Sequence, residues 1–364
     1  MIKRMDMFFL EIPLYEPFTI SLGTSIKSTN IVIRLVSKEG IEGWGEASPS
    51  YSVLGETIEA VKESLGNFYR KVRDLEVDEI EKLYDVLMKY PGSPSAKAAL
   101  DMAFFDLFGK MVSKPIFKLL GGYREHIETD ITIGIMEPEE QAKRALRFIN
   151  QGFRILKIKL GLDPEKDIER IKAIRETIGY EPVIRVDANQ GWSVEQAIYV
   201  INKLAEFEVE LIEQPVKWDD IRGLKKVHDE SSLPIVADES VKTPADAINV
   251  IEADAVDIIN IKLMKSRGIW GALKIIAISE AAGVKNMIGC MGESRIGITA
   301  GVHIAQALKN IVIYDLDSDL LLKEDIVSKG GASIDKGVRK VGDTPGLGIQ
   351  SLKEDMLQLV TTFK

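Results

Sequence analysis

The chain has 364 residues, 45% apolar and 28% charged, with a formal net charge of −9 and a single cysteine, Cys290. That length exceeds one average domain and that composition can bury a sizeable core. The acidic balance without a basic cluster excludes nucleic acid and anionic membrane as partners, and one cysteine excludes a disulfide framework and points to a reducing, cytoplasmic setting.

Met7-Phe8-Phe9-Leu10, followed by Glu11, is too short an apolar run for a signal core, and no run is long enough to span a bilayer. Pro17 to Asn30 is rich in Ser, Thr and Gly and reads as a mobile loop of the kind that carries specificity, or as a plain solvent-facing connection. Ile31–Val36 is β-rich, Ser37-Lys38-Glu39-Gly40 reads as a hairpin turn, and Gly43–Ala47 follows as a strand. From Gly55 to about Leu120 the spacing is helical, and Ser95 to Gly109 is small and apolar enough for a closely packed helix containing Asp101 and Asp106. Residues 1–120 therefore read as an α+β capping domain.

Beyond this point β-rich runs recur roughly every 25 residues between charged amphipathic segments. They are Thr129–Ile135, Arg154–Leu160, Pro182–Asp187, Val209–Glu213, Pro234–Asp238, Asp257–Lys262, Lys285–Gly289 and Ile311–Asp315. Eight strands alternating with helices predict an α/β fold, a (β/α)7β TIM-type barrel over residues 121–320. A doubly wound sheet is the competitor, but no glycine-rich phosphate loop follows the first strand. Residues 321–364 are Gly-rich and irregular, and are expected to pack back on the capping domain.

The active site of such a barrel lies at the C-terminal ends of its strands. There the second strand carries Lys157 and Lys159 on one face, and the third, fourth and fifth end in Asp187, Glu213 and Asp238. The sixth carries Lys262, nearly opposite the second in an eight-stranded ring. Three carboxylates aimed at one mouth repel one another unless a divalent cation sits between them, and an all-oxygen set without His or Cys suits Mg²⁺. Lysines on both sides suit proton abstraction beside a carboxylate, with one lysine as a base whose pKa a neighbouring cation depresses. A lone charged residue at a strand end is usually a solvated or salt-bridged group; the whole set at one end is not explained that way. Glu239 and Lys265 sit just past strand ends and read as salt-bridge partners. His126, His228 and His303 attract no role.

These residues stand in ordered motifs: KIKLG from Lys157, RVDANQGW from Arg185, IEQP from Ile212, ADES from Ala237 and NIKLMKSRG from Asn260. Together they resemble the enolase superfamily, in its muconate-lactonising subgroup, over essentially the whole chain. The resemblance implies Asp187, Glu213 and Asp238 as Mg²⁺ ligands, Lys159 and Lys262 as bases on opposite faces of the substrate, and Lys157 as a cation that helps hold the enolate and lowers the pKa of Lys159. Gly289-Cys290-Met291-Gly292-Glu293-Ser294 and Tyr314-Asp315-Leu316-Asp317-Ser318 resemble the dipeptide epimerases more narrowly. In that group the two acids, here Asp315 and Asp317, hold the amine of a dipeptide; Thr132, Cys290, Met291 and Glu293 then belong beside the substrate. Relatives specific for alanyl-glutamate carry an arginine in the N-terminal loop where this chain has Gly23, with Lys27 out of register. The implied activity is epimerisation of an L-Ala-X dipeptide with X hydrophobic rather than Glu, Thr24, Ile26 and Tyr51 lining the pocket. The implied assembly is a homo-oligomer. N-acylamino-acid racemisation, succinylbenzoate synthesis and muconate cycloisomerisation share the lysine and metal set and are the alternatives.

Overall fold

The computed structural model describes all of residues 1–364. An antiparallel sheet opens the chain: Ile2–Ile20, Gly23–Ser37 and Glu42–Ala47 pair in sequence, and the last strand, Gln358–Phe363, adds to the outer edge of the first. The stretch expected as a mobile loop, Pro17 to Asn30, is instead the tip of a long hairpin, with Phe18 opposite Ser25 and Ile20 opposite Gly23. Its Ser and Thr side chains are compatible with strand pairing because the ladder uses backbone groups only.

Helices Ile58–Val72 and Pro94–Met111 cover one face of this sheet, and Ile80–Lys89 packs on those helices. Pro94–Met111 is buried on nearly every side, as its small residues predict. Its carbonyls lie so close to Gly43 and Gly45 that a Cβ on either glycine would collide with Ala103 or Ala99 backbone. Asp101 and Asp106 are buried ties rather than chemistry. Asp106 accepts from Trp44 and Leu347 amides, and Asp101 from the amide of Ile269 at the start of a barrel helix.

The eight parallel strands are Ile131–Ile133, Ile155–Lys159, Val183–Asp187, Val209–Glu213, Ile235–Ala237, Ile258–Lys262, Lys285–Gly289 and Ile311–Tyr314, hydrogen-bonded in chain order. The Asp130 amide reaches the Tyr314 carbonyl at 3.2 Å and brings the last strand to the first. Helices follow the first seven strands, so the barrel is (β/α)7β. The first and fifth strands are three residues each, shorter than the β-rich runs that mark them. No helix is long and apolar enough to cross a membrane.

The closing segment is more regular than its composition predicts. It contains strands Val327–Gly330, Ser333–Asp335, Val338–Lys340 and Ile349–Leu352 before the final one. Val338–Lys340 pairs with Ile127–Glu128, so part of the segment lies against the barrel, and Gln358–Phe363 joins the N-terminal sheet.

Candidate active site

Parallel register brings the strand ends level: Lys159 lies opposite Asp187, and Asp187 opposite Glu213. Asp187, Glu213 and Asp238 converge with carboxylate oxygens within 4.8 Å of one another, all fully buried. The loops behind them are rigid for identifiable reasons. The Asp167 carboxylate accepts from the Gly161 amide and the Trp192 indole, both at 2.9 Å, locking the turns after the second and third strands together. Gln214 does the same for the fourth and fifth, its Oε1 accepting from the amides of Asp238 at 2.9 Å and Ser240 at 3.1 Å.

Four buried lysines answer these acids. Lys157 Nζ lies 2.7 Å from Asp315, 2.8 Å from Glu213 and 3.1 Å from Asp187. Lys159 contacts Asp187 at 2.6 Å, and Lys262 contacts Asp238 at 2.7 Å. Lys265, expected only as a salt-bridge partner, is deep in the wall and lies 2.6 Å from Asp238 Oδ1, with a further bond to the Asn260 carbonyl at 3.0 Å. Asn260 in turn donates to Glu213 at 2.7 Å.

Burial alone would strip charge from all these groups, and the neighbours decide which of them keep it. Burial opposes ionisation of Asp187 and Asp238, yet the adjacent lysines hold both carboxyls below the usual range. Burial and the neighbouring Asp187 push Glu213 up to about 7. Burial and Asp238 do the same to Glu239. Two of the lysines stay strongly basic. Burial lowers Lys157 and Lys262, but Asp315 and Glu213 for the first, and Asp238 for the second, outweigh it and raise both.

The donor set fits a hard divalent cation. Glu213 Oε2 and Asp238 Oδ1 are buried carboxylate oxygens with no donor in hydrogen-bond geometry, though lysine nitrogens lie nearby. Buried carboxylates from three strands, two of them with an unsatisfied oxygen and with no nitrogen or sulfur ligand among them, suit Mg²⁺-type coordination.

Above the acids lies a cavity of about 500 Å³ between barrel and hairpin. Lys159, Lys262, Thr132, Asp315 and Asp317 form its barrel side. Lys159 and Lys262 enter it from strands on opposite sides of the ring. Thr24, Tyr51, Ile20 and Val53 come from the capping domain, and Cys290 and Met291 from the loop after the seventh strand. Asp317 accepts from the Thr132 amide at 2.6 Å, and burial together with Asp315 pushes its carboxyl up to about 6. Burial and Asp315 raise the Cys290 thiol, which makes it a packing group and not a nucleophile.

Two expected substrate contacts are absent from this wall. Glu293, set beside the substrate by resemblance, turns away from the cavity and accepts from the Met291 amide at 2.5 Å, because the chain leaves the strand at Gly289 and turns there. Ile26 is on the hairpin but faces solvent. The structure adds Asn189, whose amide touches Lys159, and its partner Glu239. The one signal for Asn189 was its place on the same face as Arg185 and Asp187.

Comparison with known proteins matches this geometry. Residues 5–121 match the mandelate racemase / muconate lactonizing enzyme N-terminal domain, and residues 140–356 match the enolase C-terminal domain-like family. The chain is 43% identical over 351 residues to a hydrophobic dipeptide epimerase from Enterococcus faecalis, covering 96% of this chain and 99% of that one. It is 40% identical over 357 residues to an L-Ala-D/L-Glu epimerase from Clostridium acetobutylicum, with coverage of 96% and 99%. A crystal structure of the Enterococcus faecalis dipeptide epimerase with Mg and L-Leu-L-Tyr superposes with a TM-score of 0.94 at 42% identity, over 96% of this chain and 99% of that one. A muconate lactonizing enzyme from Pseudomonas fluorescens superposes with a TM-score of 0.93 at 28% identity, over 98% and 97%. The chain therefore belongs to the mandelate racemase / muconate lactonizing enzyme family of the enolase superfamily.

Proposed function

We propose that this protein is an isomerase, a Mg²⁺-dependent dipeptide epimerase acting at the α-carbon of the C-terminal residue of an L-Ala-X type dipeptide with X hydrophobic. The observation that carries this reading is one cavity entered by Lys159 and Lys262 from opposite sides, with two carboxylates at one end. Asp187, Glu213 and Asp238 would hold the cation. When bound, it supplies positive charge that offsets repulsion among these acids, reduces their pull on the lysines and stabilises negative charge developing on the substrate carboxylate.

One lysine, neutral, takes the α-proton and becomes an ammonium. The lysine across the cavity, protonated, returns a proton to the other face and becomes neutral. No proton or electron is gained or lost overall. Lys157 stays charged beneath the substrate, held by Asp315, Glu213 and Asp187, and adds positive charge where the carboxylate sits.

The two carboxylates choose among the family's substrates. Lys157 already engages Asp315, while Asp317 has only neutral partners, the Thr132 amide and the Cys290 thiol. A buried carboxylate so placed favours a substrate ammonium, which N-acylamino acids and muconate lack. Ile20, Leu22, Tyr51, Val53 and Met291 give the cavity apolar lining on the capping side, beside Ser and Thr side chains and Lys27, and no arginine lines it. Lys27 is paired with Glu11 at 2.7 Å, so it is not a free partner for an acidic side chain. The thiol of Cys290 is buried and has no cysteine to pair with, which suits a reducing cytoplasm. Incubating a mixed panel of L,L-dipeptides with enzyme and Mg²⁺ in D₂O tests the reading. Deuterium at the C-terminal α-carbon, read by mass spectrometry, is expected for apolar X. A panel without any labelling refutes it.

A further inference from the structure

The proton transfer above leaves Asn189, a buried polar side chain of the cavity wall in contact with Lys159, without a task. Asn189 stands two residues beyond Asp187, with its backbone in the left-handed region at φ 41°. It is 3% exposed. Its Oδ1 accepts from Lys159 Nζ at 2.9 Å, and its Nδ2 donates to Glu239 Oε1 at 3.1 Å. Its amide donates to Asp187 Oδ1 at 2.8 Å, and its carbonyl accepts from Ser21 Oγ of the hairpin at 2.7 Å. One residue thus joins the second, third and fifth strand ends to the capping hairpin.

The side-chain amide has an acceptor end and a donor end, and the surroundings permit one orientation. Lys159 offers only donors. Glu239 Oε1 accepts. Flipping the amide would set NH₂ against the lysine and oxygen against the carboxylate. Lys159 ends a flexible four-carbon stem, and its only other hydrogen bond in the site is to Asp187 Oδ2 at 2.6 Å. Removing Asn189 would leave Asp187 as the one partner holding the Lys159 ammonium. Lys262 makes no such contact; its partner is Asp238.

We propose that Asn189 is a positioning residue for Lys159, its amide oriented by the lysine's donors and supported by an acceptor oxygen at position 239. This rests on the reading of Lys159 and Lys262 as bases on opposite faces. Under that reading each epimer of the substrate presents its α-proton to a different lysine, so a defect confined to Lys159 slows exchange from one epimer only. A distorted fold or metal site slows both.

The experiment compares Mg²⁺-loaded full-length wild type, Asn189→Gly, Asn189→Ala and Glu239→Gln on L-Ala-L-Leu and L-Ala-D-Leu in D₂O, following initial α-proton exchange from each. Glycine accepts φ 41° without strain, and alanine removes the same amide without loosening the backbone. Both are expected to slow exchange from one epimer by about 100-fold, the cost of a misplaced reacting group, with the other epimer near the wild-type rate. Glu239→Gln keeps an acceptor for Asn189 and is expected to keep the wild-type ratio. Mg²⁺ affinity by calorimetry is expected to stay unchanged in Asn189→Gly. Equal slowing of both epimers, an unchanged ratio in both Asn189 variants, or a changed ratio in Glu239→Gln overturns the proposal. Wild type that exchanges neither epimer refutes the two-base reading itself, and the proposal falls with it. Wild type that exchanges both, with symmetric loss in the variants, refutes only the role of Asn189.

Discussion

Replacing Asp317 with Asn tests how the site recognises its substrate. The change keeps the shape and leaves an oxygen to accept the Thr132 amide, now at 2.6 Å, so it removes one negative charge and little else. Asp315 is already neutralised by Lys157 at 2.7 Å, which leaves Asp317 as the acid free to meet an ammonium. A charge-assisted hydrogen bond of this kind contributes about 1.5–3 kcal/mol. Its loss therefore lowers kcat/KM for L-Ala-L-Leu by roughly 10- to 150-fold. The N-acetylated dipeptide has no ammonium, and its much poorer turnover should be unaffected or improved. Burial and Asp315 push Asp317 up to about 6, so it loses its charge as the pH falls through that value. Wild-type kcat/KM for the free dipeptide should then fall below about pH 6, by up to tenfold per unit, and Asp317→Asn should lack this break. A chiral assay of initial rates from pH 5 to 8 with both substrates decides it. Equal losses for the free and acetylated dipeptides, or the same low-pH break in the variant, would show that Asp317 does not hold the ammonium.

Further outcomes follow from the same geometry. Lys159→Ala and Lys262→Ala should each lower epimerisation by about 10²- to 10⁴-fold, while each leaves α-proton exchange from one epimer in D₂O; loss of exchange from both epimers in both variants would contradict opposed bases. Stripping divalent cations with a chelator should abolish exchange and Mg²⁺ should restore it, whereas Glu213→Gln should remain inactive on readdition; full activity in chelator would refute a metal role. Initial rates on paired dipeptides should show kcat/KM for L-Ala-L-Leu above that for L-Ala-L-Glu by about 5- to 150-fold, since a carboxylate without an arginine partner loses hydration in the pocket at a cost of about 1–3 kcal/mol. Outside the site, burial holds His303 down to about 4, so the unfolded chain binds the extra proton first as pH falls from about 6.5. Stability present above that range should drop by about 3 kcal/mol by pH 4. His303→Asn, which keeps an acceptor for the Phe117 amide at 3.1 Å, should lose correspondingly less in denaturant titrations.

The strand ends were readable because a barrel strand is apolar on both faces. Any charge in Ile155–Lys159 or Ile258–Lys262 therefore stands out, and the period of two says where it points. That logic stops where the strand stops. Glu293 lies past Gly289 in a turn that leads into the helix Arg295–Ala307, and its carboxylate folds back on the Met291 amide. Asn189 carries no charge, and Glu239 reaches it only because the barrel brings the fifth strand end within reach of the third across the fourth. The hairpin was missed for another reason. The polar side chains of Pro17 to Asn30 give no apolar alternation, yet their backbone pairs along nearly the whole run. Sequence shows which groups are near one another but not how many, so the strength of the hold on the Lys157 charge was not legible in it. Lys157 meets three carboxylates, and their sum exceeds the effect of burial.

The division between chemistry and selection follows from how the two sheets meet. Buried Glu46, at the end of the N-terminal sheet, accepts from the Ser294 and Gly297 amides at the start of a barrel helix, and from Asn30 of the hairpin. A carboxylate at a helix N-terminus answers amides that have no partner within the helix. Asn30 and Ser28 also donate to the Gly292 carbonyl, at 2.9 and 2.5 Å. The Cys290–Gly292 wall is therefore set from the capping side, while most of the lysines and acids are set within the barrel by register and by Gln214. Side chains at the hairpin tip can change the pocket without moving Lys262, whose partner Asp238 is tied to Gln214 and Lys265 deep in the barrel. Lys159 is different, because Asn189 receives the Ser21 hydroxyl from that same hairpin. Substitutions at the tip should thus alter which side chain is accepted before they alter the chemistry. Where they do alter it, the epimer served by Lys159 should suffer first.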